Sequence, residues 1–169
     1  MGTIEEVKKL IVKHDYIGAA RLLDRLLGKD RDSDALWYLR GLVSLRLKHY
    51  DAAAEALEHA LWIRKRPEYW RMKGFAHMEA CEFEYAIKSF SHALRMEGND
   101  ATTCALIAFC YMFLNNPNSK HYLQRAYLLD KKKTKGLLLE FYDIFFKPDH
   151  RLSDKAKSLL QKKLEGIQE

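Results

Sequence analysis

The residues of this chain with the most chemistry in them are three cysteines, Cys81, Cys104 and Cys110, and seven histidines. A thiol becomes a nucleophile or a metal ligand only beside a base, a cation or further ligands, and a zinc site needs its ligands at short, regular spacings. The cysteines meet neither condition, and three of them cannot all pair within one chain, so they read as packed or surface thiols. His59 and His92, 33 residues apart, occupy equivalent sites near the outer side of successive helices, which repetition of a structural unit explains better than metal binding. His77 reads as a packed, hydrogen-bonded histidine. No HExxH, P-loop, GxGxxG, GxSxG or CxxC motif occurs, and the acidic residues mostly alternate with basic ones at helical spacing, as on solvated helix faces. The expectation is therefore a protein with no catalytic residues, no metal site and no cofactor.

Without a reactive site, function must come from a surface, and the elements that shape it are helical. Hydrophobic residues make up 48% and charged residues 31% of the chain, with only eight Gly and three Pro, a balance that favours a folded, helix-rich protein over a disordered one. No apolar run reaches the length of a membrane span, and Met1-Gly-Thr-Ile-Glu-Glu does not read as a signal peptide, so a cytoplasmic location is expected. A length of 169 residues suits one domain spanning residues 1–169. The net charge of +6 is spread along the chain and by itself names no partner.

The strongest signal is an internal repeat. Trp37, Gly41, Tyr50, Ala53, Leu57, Ala60 and Leu61 recur 33 residues later as Trp70, Gly74, Phe83, Ala86, Phe90, Ala93 and Leu94. A period of this size marks stacked supersecondary units. Each unit carries two successive helical apolar stripes, so it is a helical hairpin, with turns near Lys48-His49 and Cys81-Glu82. Gly41 and Gly74 are placed to let the second helix approach closely, a gain that offsets the roughly 1 kcal/mol cost of Gly within a helix.

These residues resemble the tetratricopeptide repeat (TPR) pattern, W-x2-L-G-x2-Y followed by A-x3-F. Here it reads Trp37-x2-Arg40-Gly41-x2-Ser44 with Ala53-x3-Leu57, and Trp70-x2-Lys73-Gly74-x2-His77 with Ala86-x3-Phe90. Arg40 and Lys73 replace the usual Leu, and Ser44 and His77 the usual Tyr. The resemblance implies an all-α fold, a right-handed superhelical solenoid of antiparallel helix pairs, with about four hairpins and a C-terminal capping helix.

The hairpins are expected at about 3–28, 34–66, 67–99 and 100–130. The first is degenerate and opens on a Thr3/Glu6 capping box. The fourth matches through Cys104, Ile107, Ala108 and Tyr111, then Leu123 and Ala126, with one residue lost and the turn shortened at Asn115-Asn116-Pro117. Residues 133–169 form a degenerate hairpin and cap. Its first helix is rich in Leu and Phe and ends at Pro148; its second sets Leu152, Ala156, Leu159, Leu160 and Leu164 on one side and lysines on the other.

Stacked hairpins curve into a concave face, which in this family is lined by the first helices. The repeat alignment places Tyr38, Leu42, Leu45, Arg46, Arg71, Phe75, Met78, Glu79, Ala105, Phe109, Met112 and Phe113 on that stripe. The same stripe could equally be core covered by neighbouring helices. TPR proteins that grip acidic chaperone tails use a Lys, Asn and Arg clamp, whereas the matching sites here hold Tyr38, Leu42, Met72, Thr102 and Leu106, so that role is excluded. The expected function is a protein–protein interaction scaffold or adaptor whose groove binds an apolar or amphipathic segment of another protein. Self-association is the alternative. Nucleic-acid binding through Arg64-Lys65-Arg66 and Lys131-Lys132-Lys133 with Lys135 ranks below both, because both clusters fall where second helices end and cations offset the helix dipole.

Overall fold

A computed structural model describes residues 2–150 and 153–165, and the described residues form helices and turns only. They divide after Gly98 into two compact units. The first holds six helices, α1 (Ile4–Val12), α2 (Tyr16–Leu27), α3 (Asp34–Arg46), α4 (Tyr50–Ile63), α5 (Pro67–Glu79) and α6 (Phe83–Glu97), paired as three hairpins. The second holds α7 (Ala101–Phe113), α8 (Asn118–Leu129), α9 (Lys131–Phe141), a π-helical turn at Tyr142–Phe146 and α10 (Asp154–Glu165).

Helix starts follow local chemistry. Thr3 and Glu6 form the expected capping box on α1, and the side chains of Asp15, Ser33, Asp100 and Asp130 accept hydrogen bonds from the first turns of α2, α3, α7 and α9. Pro67 opens α5, where its missing N–H costs nothing. The turn inside each hairpin is built alike. His14, Lys48 and Cys81 sit at φ 60° and Asn115 at φ 50°, and the N–H two residues past each helix cap donates to a carbonyl five residues back, as Asp15 does to Leu10 and His49 to Ser44, both at 2.9 Å. These are left-handed C-terminal motifs without the usual glycine.

The repeat glycines have the role the pattern predicts. A Cβ on Gly41 would lie 2.6 Å from Leu57 Cγ, and one on Gly74 the same 2.6 Å from Phe90 Cδ1, so the paired helices touch through the space a side chain would need. The departures from the family pattern are also explained. Arg40 donates to Asp24 on α2 at 2.7 Å and to the buried Ser44 hydroxyl at 2.7 Å, and Lys73 pairs in the equivalent way with Glu58 on α4. Ion pairs between successive hairpins thus stand where apolar leucine is customary. His77 shares a hydrogen bond between Nδ1 and the Glu82 carboxylate (2.7 Å).

Two expectations are corrected in the second unit. The turn at 114–117 is longer, not shorter, than those at 47–49 and 80–82. Asn116 Oδ1 accepts from the Asn118 N–H at 3.0 Å, so the side chain, rather than an immediate helical start, serves that donor. Lys131, Lys132 and Lys133 form the first turn of α9, where the helix dipole disfavours cations, so their placement is not explained as capping of α8 alone. The C-terminal helix forms, and the Tyr142 hydroxyl donates to the Lys157 carbonyl at 2.9 Å. Ala156 is half-buried and Leu159 exposed; Leu152 and the side chains of Leu160 and Leu164 lie outside the described residues.

Candidate interaction groove

In the first unit, α3 and α5 are the first helices of adjacent hairpins and leave a groove between them of about 450 Å³. Leu42, Leu45, Met72 and Phe75 give it an apolar floor, and Arg46, Lys48 and Glu79 stand at its mouth. The four apolar residues are each half-buried, whereas the three charged ones are exposed. Phe75 is held from behind by an edge contact with Phe90, ring centroids 5.6 Å apart, which fixes it in place while leaving part of it accessible.

Five residues of the sequence-derived stripe, Leu42, Leu45, Arg46, Phe75 and Glu79, come together in this groove. The other three in this unit do not line it. Tyr38 stacks on Tyr69 at 4.9 Å, Arg71 is ion-paired with Glu97, and Met78 is half-buried. Met72 and Lys48 were missed. Met72 lies one turn before Phe75 on the same helix face, a spacing that could have found it; Lys48 sits in a turn to which helical periodicity is blind.

In the second unit the stripe is corrected. Ala105 and Phe109 are buried at 0% and 3% exposure, and the Phe109 ring stacks on Phe141 of α9 at 4.1 Å. Met112 and Phe113 stay 39% and 41% exposed, with Phe113 edge-on to Phe141 and Phe145. α9 supplies the cover through Phe141, and α7 suits it, because it carries no charged side chain over Ala101–Phe113 and so has no face that prefers water.

Other surroundings are structural. Trp37 stacks on His59 at 4.4 Å and Trp70 on His92 at 4.3 Å, repeating one contact in successive hairpins. Desolvation, helped by Arg95 and Lys73, holds the His92 imidazole below its ordinary value. Arg64 and Arg66 lie 3.7 and 3.5 Å from Asp34, which also accepts a 2.8 Å hydrogen bond from Tyr69. Burial and that bond push the Tyr69 hydroxyl up to about 12. Two members of the basic run 64–66 are therefore engaged within the fold. Burial raises the Cys104 thiol and pushes Cys110 up to about 12, away from nucleophilic chemistry, and among the described residues no group of three or more His, Cys, Asp or Glu is placed to hold a metal. A larger cleft, about 700 Å³, lies among α2, α3 and α4 beside Trp62, which is 85% exposed and which sequence reasoning did not single out.

Comparison with known proteins addresses the fold. No family model matches the chain. A TPR repeat-containing protein of Methanocaldococcus jannaschii is 24% identical over 102 residues, and the match takes in 60% of this chain and 18% of that protein. The chain thus spans less than a fifth of that relative's length. A crystal structure of MamA superposes over 99% of this chain and 95% of its own with a TM-score of 0.75 at 14% identity. The fold is tetratricopeptide-like. A second MamA structure agrees over 78% of this chain and 73% of its own (TM-score 0.72, 17% identity), and residues 41 to the end of MamA from Desulfovibrio magneticus RS-1 over 76% and 73% (TM-score 0.72, 17% identity). The tetratricopeptide-like reading agrees with the glycine contacts and the recurring left-handed turns. Among the described residues no helix is long and apolar enough to cross a membrane.

Proposed function

We propose that the chain is a non-catalytic interaction module that seats an amphipathic segment of another protein in the α3/α5 groove. The observation that supports this reading is the groove's make-up. Four half-buried apolar side chains, one a well-braced Phe, form a floor that loses little entropy on binding, and charged side chains ring it. Met72 adds an adaptable contact. The test is fluorescence anisotropy with a labelled amphipathic helical peptide. Phe75→Glu should remove binding while circular dichroism shows unchanged helicity, and Lys65→Glu with Lys132→Glu should alter affinity little, with weak salt dependence. Loss confined to the lysine variant, with a steep fall in affinity as salt rises, would replace the groove by a basic nucleic-acid surface.

Self-association is a second reading, supported by Phe113, Ile144 and Phe145, which are 41%, 63% and 42% exposed in the second unit. It predicts a concentration-dependent mass in sedimentation that Phe145→Glu abolishes.

A further inference from the structure

We infer that the groove selects a helix carrying one acidic and one basic residue seven positions apart, with an apolar pair between them. This rests on the groove reading above and specifies the partner it takes.

The argument starts from the repeat. Arg46 and Glu79 are the last residues of α3 and α5 and stand at equivalent positions, 33 residues apart in sequence. The groove mouth therefore presents a cation on one hairpin and an anion on the next. Neither side chain has a hydrogen-bond or ion-pair partner among the described residues, and Lys48, beside Arg46, has none either. Other charges on these helices are satisfied inside the unit: Arg40 by Asp24, Lys73 by Glu58 and Arg71 by Glu97. The unspent charges of α3 and α5 thus include those that border the apolar floor.

Neighbouring packed helices lie roughly 8 to 10 Å apart, and we take a spacing of that order for the two opposite charges, which line one groove. A helix rises 1.5 Å per residue, so residues seven apart lie on one face about 10 Å from each other. A partner helix laid across α3 and α5 then places an acid over Arg46 and Lys48 and a base over Glu79, while the residues three and four positions on point at Leu42, Leu45, Met72 and Phe75. Acid-first and base-first sequences both fit the pattern, each in one chain direction only, because reversing a given helix sets its acid over Glu79. A helix with two acids or two bases at these positions meets a like charge at one end.

Three helical peptides with the same apolar face and Glu/Lys, Glu/Glu or Lys/Lys at the two positions test this. The unmodified protein should bind the Glu/Lys peptide tightest, by roughly threefold to tenfold, the range that exposed pairs gained and like charges avoided allow. Glu79→Lys should move the preference to Glu/Glu, and Arg46→Glu with Lys48→Asn should move it to Lys/Lys. An unchanged ranking in both variants, with binding still abolished by Phe75→Glu, would overturn the charge pattern and leave the groove reading standing. Failure of all three peptides to bind, or binding indifferent to Phe75→Glu, would overturn both.

Discussion

In the first unit, α3 and α5 keep water on one side and core on the other, so Leu42, Leu45 and Phe75 stay half-covered beside Arg46 and Glu79. In the second, α7 brings the same stripe position by position, yet α9 lays Phe141 on Phe109 and closes it. α3 and α5 differ from α7 in what surrounds the stripe. Arg46 on α3 and Glu79 on α5 are exposed and hold water at the end of the stripe, whereas Ala101–Phe113 has no charge to do so. Repeats of one architecture thus leave a half-open groove or a core according to the polarity of the stripe's helix and what covers it.

The largest effect that could break this comparison is at Phe109. Its replacement by Ala should cost about 3–5 kcal/mol, the range for emptying a buried aromatic site. Phe75→Ala, at the equivalent half-covered position, should cost roughly 1 kcal/mol. Chemical denaturation of the two variants checks the contrast, and equal losses would mean that Phe75 is as much core as Phe109. Smaller effects come from two glycines. A Cβ at Gly74 would lie 2.6 to 2.9 Å from three Phe90 ring atoms, so Gly74→Ala should destabilise by about 1–3 kcal/mol. At Gly136 on α9 nothing lies within 4 Å of a Cβ, so Gly136→Ala should stabilise by roughly 0.5–1 kcal/mol through helix propensity alone. Opposite shifts in midpoint are expected; a neutral Gly74→Ala would remove the close approach of α5 and α6.

The helical hairpins were legible because their determinants are local or repeated. The match of Gly74 to Gly41 marks a helix contact, and Thr3 with Glu6 marks a helix start. The groove was legible in part, since the repeat assigns equivalent positions to a stripe without saying what covers it. Burial of Ala105 and Phe109 depends on α9, which lies outside the repeat pattern, although the uniform apolarity of 101–114 carried a warning. Lys48 escaped because it sits at φ 60° in a turn, where helical periodicity gives no direction. The π-helical turn at 142–146 and the four-residue turn ending at Pro117 are set by tertiary packing and side-chain hydrogen bonding, which the repeat does not encode.

The most direct test is a methyl NMR map of the intact chain titrated with the Glu/Lys peptide, with Ala, Leu, Met and Val labelled. Binding in the groove predicts shifts centred on Leu42, Leu45 and Met72, with Ala105 unchanged because it is buried. Shifts centred instead on Ala52 and Ala56 beside Trp62, or on Met112 and Leu138, would place the interaction surface elsewhere and contradict the account.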